Sequence, residues 1–169
     1  MKKERGNIWL GVANLVENEQ GEWLVVKKKY SGLKGLWSLP AGFVQEAETV
    51  EMAAMREVLE ETAIKTKIIG MIGFRSGVIR NQISDNMAIF YSRKVDEVQI
   101  AIAQEKEIEE VAWIHPSKLA QDPLASSMLH EMAKEHVERF VHPIMHNFDP
   151  GAQFGYTKYE LYFKRSNDQ

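Results

Sequence analysis

Three glutamates in this sequence share one side of a segment that is rich in helix-forming residues. Glu57, Glu60 and Glu61 lie within residues 48–62, where Ala, Met, Leu and Glu predominate. At about 100° per residue, the three carboxylates fall within an arc of about 100° on one helical face. Carboxylates at this spacing repel each other by roughly a few tenths of a kcal/mol per pair. A hard divalent cation would turn that cost into affinity, so the face is either a solvated acidic surface or a cation site.

The opposite side of the same predicted helix carries apolar residues, which we expect to pack against a sheet. These residues are Met52, Met55, Leu59 and Ala63, with Ala54 and Val58 at their flank.

The spacing of charged residues around this helix resembles the Nudix box. Gly42, five residues, Glu48, seven residues and then the run 56–64 follow the family pattern Gly-x5-Glu-x7-Arg-Glu-U-x-Glu-Glu-x-Gly-U, where U is bulky and aliphatic. So many acidic and basic positions at fixed spacing form a specific signal. The last glycine is replaced by Ala63. The family glycine would end the helix in the left-handed conformation, which costs an alanine about 1 kcal/mol. We expect either that Ala63 adopts this conformation at that small cost, or that the helix runs on slightly or leaves by another turn.

This resemblance implies metal-dependent hydrolysis of a nucleoside diphosphate linked to another moiety, with water attacking phosphorus. It implies that Glu57, Glu60 and Glu61 bind Mg²⁺ or Mn²⁺. It also implies that the main-chain carbonyl near Ala41 or Gly42 completes the metal shell. The substrate would be a small nucleotide-type diphosphate, and no motif selects among nucleoside triphosphates, ADP-ribose, nucleotide sugars and dinucleoside polyphosphates.

Arg56 would hold the carboxylates in place, with Glu48 as its ion-pair partner, because a guanidinium grips a carboxylate by two bonds. The general base stays open, since some family members use a glutamate of the box and others use one on a later loop. We expect Glu107 to be the extra ligand or base, with Glu105 as the alternative. Loop acids before an edge strand would explain both residues equally well.

Contacts to the substrate phosphates should come from cationic side chains away from the metal. The candidates are Arg75 and Arg80, which flank the loop after the third long strand, and the run Lys27–Lys29 at the end of the second, although surface solvation explains any single one of them. Asp85 beside Asn86 fits contact with a base or sugar, and it fits a turn equally well.

Other function classes compete with the enzyme. A catalytically silent Nudix-like nucleotide-binding or regulatory module would usually lack some box carboxylates, whereas the Arg and all four Glu are present. An isopentenyl diphosphate isomerase would need a catalytic cysteine, and the chain has none. A calcium-binding loop would place its acids in a loop instead of on a helix.

Composition narrows the class of protein further. The 169 residues are 44% hydrophobic and 27% charged, which is typical of one globular domain. A net charge of -3 argues against a nucleic-acid polymer as partner. The absence of cysteine excludes a disulfide scaffold. Neither a signal sequence nor a run of roughly 20 apolar residues is evident, so we expect no membrane partner and a cytoplasmic location.

The elements that must position these residues form an α+β pattern, which the resemblance refines to a Nudix-type α/β/α sandwich with a mixed sheet. We expect one domain over residues 1–169, with a core at about 7–120 and a helical and strand extension at about 121–165. A long helix from Asp122-Pro123 to before His142 carries an apolar stripe that suggests a homodimer. Predicted strands span residues 8–16, 23–26, 68–77, 86–95, 109–115 and 159–163, the first two as a hairpin, and residues 98–103 form a short apolar run.

Overall fold

The structure is a computed structural model that describes residues 5–145 and 150–162. Three α-helices lie in the described ranges: α1 (Val50–Thr62), α2 (Pro116–Leu119) and α3 (Ser127–Glu135). The strands are β1 (Ile8–Glu17), β2 (Trp23–Lys28), β3 (Trp37–Ser38), β4 (Ala41–Phe43), β5 (Thr66–Ile79), β6 (Ile83–Lys94), β7 (Ile108–Ile114), β8 (His142–Met145) and β9 (Leu161–Tyr162). None of the helices in these ranges is long and apolar enough to cross a membrane.

Strand β1 organises a mixed sheet. It pairs in parallel with β6 and antiparallel with β2 and β4, and the main strand order is β3-β2-β1-β6-β5-β8-β9. The hairpin predicted between the first two strands is present, with Glu17 opposite Trp23. The predicted α+β class with a mixed sheet is therefore confirmed.

Helices cover both faces of the sheet. Helix α1 packs Ala53 and Ala54 against Val12 and Phe90 on one face. The other face carries a second cluster, to which α2 and α3 contribute Leu119, Leu129, Met132 and Ala133. Successive side chains of β1 point to opposite faces of the sheet, so Val12 joins the cluster under α1 while Ala13 and Leu15 join the cluster on the other face.

A buried polar link fixes α1 on the sheet. The Asn14 side-chain amide donates to the Ala54 carbonyl at 3.4 Å, and the Ser92 hydroxyl donates to the Asn14 side-chain oxygen at 2.7 Å. All the polar atoms of this link are buried, so each bond replaces water that the site excludes. The link sets the height of α1 over strands β1 and β6.

Three predicted elements differ from the structure. The apolar run 98–103 is a loop with Val98 and Ile100 exposed. The helix predicted from Asp122 begins at Ser127 instead, because Trp37 forms backbone hydrogen bonds to the residues on either side of Ala125 and holds that segment extended. The final strand spans Leu161–Tyr162, and Phe163 lies outside the described residues.

The basis for expecting a homodimer also changes. Helix α3 ends at Glu135, with His136 in the left-handed region at φ 52°. Its apolar side chains Leu129 and Met132 are buried in the chain's own core. Leu129 and Met132 are therefore used within one chain, whereas Leu124 and Phe140 of the same stripe are exposed, and the homodimer stays a prediction.

Candidate active site

Helix α1 presents its small residues to the sheet. Thr49 caps the helix by accepting a hydrogen bond from the Met52 backbone N–H at 3.2 Å. The buried apolar positions are Ala53, Ala54 and Val58, while Leu59 is 44% exposed. Of the residues expected on this side, Met55 packs partly buried against the cluster, and Ala54 and Val58 are buried. The expectation was wrong for Met52, Leu59 and Ala63, which are exposed, because small side chains allow a closer approach of helix to sheet.

The Glu57 carboxylate packs directly against the backbone of Gly42. Strand β4 pairs with β1, with Gly42 opposite Val12 on the face that carries α1. A Cβ at position 42 would overlap the carboxylate carbon and both carboxylate oxygens of Glu57. The glycine of the motif is therefore required by close approach of a side chain, and not by a positive φ.

Arg56 gathers three of the motif's carboxylates with one guanidinium. Its Nε donates to Glu48 at 2.6 Å and its Nη1 donates to Glu57 at 2.6 Å and Glu60 at 3.0 Å. Its Nη2 donates to Glu48 at 3.0 Å and to the Phe43 carbonyl at 2.9 Å. The planar fork thus links the helix to β4 and to the segment before the helix.

Glu61 is the buried member of the acidic face. Its side chain is 4% exposed and pairs with the Lys28 ammonium at 2.9 Å. The Ala41 backbone N–H donates to its second oxygen at 3.3 Å. Burial raises the pKa of Glu61 to about 7, although Lys28 acts in the opposite direction.

A cleft of about 170 Å³ collects the acidic residues. It is lined by Glu57, Glu60, Glu61, Gln104 and Glu107. The predicted alternative Glu105 is not among these lining residues.

The loop that carries Glu107 is tied to the end of α1. The backbone N–H groups of Ile102 and Gln104 donate to the carbonyls of Thr62 and Glu61 at 2.9 and 3.1 Å. These bonds satisfy carbonyls that a helix end would otherwise leave unpaired. They hold the loop, and with it Glu107, against the cleft.

Tyr30 lies beside Glu107 at the mouth of the cleft. Burial and a hydrogen bond to the Glu107 carboxylate raise the pKa of Tyr30. The Tyr30 phenol is therefore protonated at neutral pH, as a tyrosine ordinarily is, and it lies close to the Glu107 carboxylate.

The oxygen donors in the cleft fit a hard divalent cation. Carboxylates and a backbone carbonyl are the ligands that Mg²⁺ and Mn²⁺ prefer. Two cationic side chains already lie against these oxygens: Arg56 contacts Glu57 and Glu60, and Lys28 contacts Glu61 and the Ala41 carbonyl. The cleft is thus built to hold positive charge.

The carboxylates are held apart in this arrangement. Across the described ranges 5–145 and 150–162, no three acidic or histidine side chains stand ready to share one ion. Arg56 turns Glu57 and Glu60 toward itself, while Lys28 retains Glu61. A metal would therefore need these side chains to reorient.

The structure places both predicted phosphate-binding arginines away from the cleft. Arg75 pairs with Asp85 at 2.6 Å, and it stands opposite Met87, which packs in the cluster on the sheet face opposite α1. Arg80 occupies the β5–β6 turn at φ 51°. Asp85 accepts the Arg75 bond within the sheet, so it forms no turn. Neither arginine lines the cleft of carboxylates, and their expected contact with substrate phosphates away from the metal stays a prediction.

Ala63 ends α1 in the left-handed conformation that the motif's glycine would favour. Its φ is 60° and its ψ is 10°, and its N–H donates to the Leu59 carbonyl at 3.0 Å. The sequence allowed a left-handed alanine, a slightly longer helix or another exit turn. The left-handed alanine is the one observed.

Gln104 is a site residue that the sequence did not single out, and Lys28 was expected only as one of three lysines that could contact substrate phosphates, not as the partner of Glu61. The run Lys27–Lys29 at the end of β2 offered a signal, because alternate residues of a strand point to opposite faces. Lys27 lies over the Trp37 ring at 4.2 Å, whereas Lys28 points to Glu61. Gln104 carried no signal, since it reaches the cleft through the loop's hydrogen bonds to α1.

Comparison with known proteins places the chain in the Nudix family. The NUDIX domain family model matches residues 8–134. The chain is 34% identical to Nudix hydrolase 8 of Arabidopsis thaliana over 118 residues, which are 68% of this chain and 31% of that protein. It is 36% identical to the ADP-ribose pyrophosphatase of Methanocaldococcus jannaschii over 72 residues, 43% of this chain and 42% of that protein.

Solved structures show the same fold. The crystal structure of the MutT protein from Methanosarcina mazei Go1 has a TM-score of 0.64 at 23% identity, covering 81% of this chain and 97% of that one. The chain spans between 24% and 43% of the length of four of the curated relatives that it matches.

Proposed function

We propose that this chain, which belongs to the Nudix family, is a pyrophosphohydrolase that uses a divalent metal ion to hydrolyse a nucleoside diphosphate linked to another moiety. The observation that carries the proposal is the cleft in which Glu57, Glu60 and Glu61 of α1 meet Glu107 of a separate loop. Four carboxylates from two segments share one small cleft, and such hard oxygen donors are the ligands that divalent ions of this kind prefer.

The residues that would hold the ion are the three helix carboxylates and the Ala41 carbonyl. When bound, Mg²⁺ or Mn²⁺ supplies charge neutralisation for a diphosphate and lowers the pKa of a bound water. Hard oxygen donors favour these ions over softer metals.

The chain's own groups have distinct roles in this proposal. Arg56 limits the rotamers of Glu57 and Glu60, with Glu48 and the Phe43 carbonyl as its anchors. Glu107 is exposed at the rim, where it can accept a proton from the attacking water.

The proposed substrate is a small nucleotide-type diphosphate. A relative of this chain is named for ADP-ribose, which contains such a diphosphate. The cleft volume of about 170 Å³ suits a diphosphate and its ion more than a whole nucleotide, so the nucleoside would extend beyond it.

A substrate panel tests the proposal. Nucleoside triphosphates, oxidised triphosphates, ADP-ribose, nucleotide sugars and dinucleoside polyphosphates are incubated with Mg²⁺ or Mn²⁺, and the released phosphate species are measured. We expect turnover of at least one compound, and its loss in excess chelator. Binding of nucleotides without turnover would support a silent binding module instead, and full turnover in chelator would contradict the metal requirement.

A further inference from the structure

The ammonium group of Lys28 occupies the position of a cation among the proposed metal ligands. It donates to the Ala41 carbonyl at 2.7 Å and lies 2.9 Å from the Glu61 carboxylate. The Lys28 side chain is 16% exposed, so little water screens these contacts. An ammonium can donate three hydrogen bonds and accept none, which makes it a suitable neighbour for oxygen ligands.

The two cations of the cleft differ in what anchors them. Arg56 keeps Glu48 and the Phe43 carbonyl as partners, and neither is a proposed metal ligand. The partners of Lys28 among the described residues, Glu61 and the Ala41 carbonyl, are both proposed ligands. Arg56 can therefore stay in place when a metal binds, whereas Lys28 must give up its contacts.

Coulomb repulsion makes joint occupancy costly. A divalent ion held by the same oxygens would be close to the ammonium, and like charges at short range repel more strongly where little water screens them. The repulsion with a divalent ion is twice that with a monovalent ion at the same distance. The lysine side chain has four rotatable bonds, so it can move away from the ion while its backbone stays in β2.

We infer that Lys28 is a tethered stand-in for the divalent cation, which holds Glu61 and the Ala41 carbonyl in the metal-free protein and is displaced when the metal binds. This inference rests on the proposed function. It assigns Lys28 a positioning role: the lysine keeps a buried carboxylate neutralised until the ion arrives, at the cost of weaker metal binding.

The test compares Lys28→Met with Lys27→Met. Lys27 is the matched control, because it is the preceding residue of the same strand and pairs with Glu110 on the other face. Mn²⁺ affinity is measured by electron paramagnetic resonance of free Mn²⁺, and thermal unfolding is followed in chelator and in Mn²⁺. We expect Lys28→Met to bind Mn²⁺ tenfold or more tightly than wild type and to unfold at a lower temperature in chelator. Lys27→Met should bind Mn²⁺ within twofold of wild type.

A measurement on the wild-type chain separates displacement from simple repulsion and does not depend on the folding of Lys28→Met. The side-chain ammonium resonance of Lys28 is observed by ¹H–¹⁵N NMR and assigned by its absence in Lys28→Arg. We expect a protected resonance in chelator that is lost or moves on saturation with Mg²⁺. An unchanged resonance at Mg²⁺ saturation would overturn the inference.

The outcomes distinguish this inference from the proposed function. Equal Mn²⁺ affinities for wild type, Lys28→Met and Lys27→Met would overturn the role of Lys28 and leave the metal site standing. A wild-type chain that binds no Mn²⁺ or Mg²⁺ would overturn the proposed function and the inference together.

Discussion

The guanidinium of Arg56 grips Glu48 by two hydrogen bonds, 2.6 Å from Nε and 3.0 Å from Nη2. This contact lowers the pKa of Glu48, and the same contact contributes most to the raised pKa of Arg56. Because Glu48 fixes one edge of the guanidinium, the other edge is directed at Glu57 and Glu60. A residue outside the cleft thus orients two of the proposed metal ligands.

Replacement of the Arg56 guanidinium by a lysine ammonium should lower the turnover rate. Arg56→Lys retains the positive charge but cannot donate in one plane to Glu48, Glu57 and the Phe43 carbonyl at once. We expect kcat to fall about tenfold or more and the free energy of unfolding to fall by about 1–2 kcal/mol. Arg93→Lys, at a partly buried pair with Glu17 outside the cleft, is the control and should keep the wild-type kcat. Wild-type kinetics for Arg56→Lys would show that the fork does not orient the carboxylates.

A methyl group at Gly42 should displace Glu57 without unfolding the chain. The atoms that the new Cβ would meet belong to the end of a flexible side chain, which can move away. For Gly42→Ala we expect a loss of about 10²-fold in kcat and a much smaller effect on thermal stability. The control is Gly77→Ala in β5, where a Cβ would lie 4.0 Å from its nearest neighbour. Equal activity of the two variants would contradict the proposed contact.

The left-handed cap at Ala63 predicts a stabilising substitution. Glycine adopts φ 60° without the penalty that a Cβ imposes, so Ala63→Gly should raise the free energy of unfolding by up to about 1 kcal/mol. Urea denaturation measures this difference, and turnover should remain at the wild-type level because position 63 supplies no ligand atom. Destabilisation by Ala63→Gly would mean that the helix does not end in this conformation in solution.

Glu61 predicts a pH dependence of stability in the metal-free protein. Its folded-state pKa of about 7 exceeds the ordinary value, so the folded chain binds more protons than the unfolded chain between roughly pH 4.5 and 7. Stability should therefore fall as pH rises through this window and level off above it. One pKa unit corresponds to about 1.4 kcal/mol, which makes the expected fall a few kcal/mol at most.

Denaturation in urea at pH 5 and pH 8, with chelator present, measures this effect. Glu61→Gln should remove most of the pH difference, because the glutamine does not titrate. Glu60→Gln, which changes a more exposed carboxylate on the same face, should keep it. Identical pH dependence in wild type and Glu61→Gln would rule out burial of a titrating Glu61.

The acidic face was predictable from the sequence because its geometry is local. Glu57, Glu60 and Glu61 follow helical spacing, and the helix is set by its composition and by the Thr49 cap. The mixed sheet followed from strand patterns with turn residues between them. These features depend on residues within a few positions of each other.

What could not be predicted depends on contacts between distant segments. Lys28 reaches Glu61 across 33 positions because β2 lies beside α1 in the fold. The misplaced start of α3 has the same origin, since Trp37 fixes the backbone around Ala125. The sheet-facing side of α1 was misjudged in part, because the small residues Ala53 and Ala54 meet the sheet while Leu59 is exposed.

The central claim is that the carboxylates of α1 bind a catalytic cation, and single glutamine variants test it most directly. Turnover of the best substrate at saturating Mg²⁺ is measured for Glu57→Gln, Glu60→Gln and Glu61→Gln, with Glu51→Gln in the first turn of the same helix as control. We predict a loss of about 10²-fold or more for each of the three and little change for the control. Wild-type rates in all three variants would mean that these carboxylates serve only the fold and bind no catalytic cation.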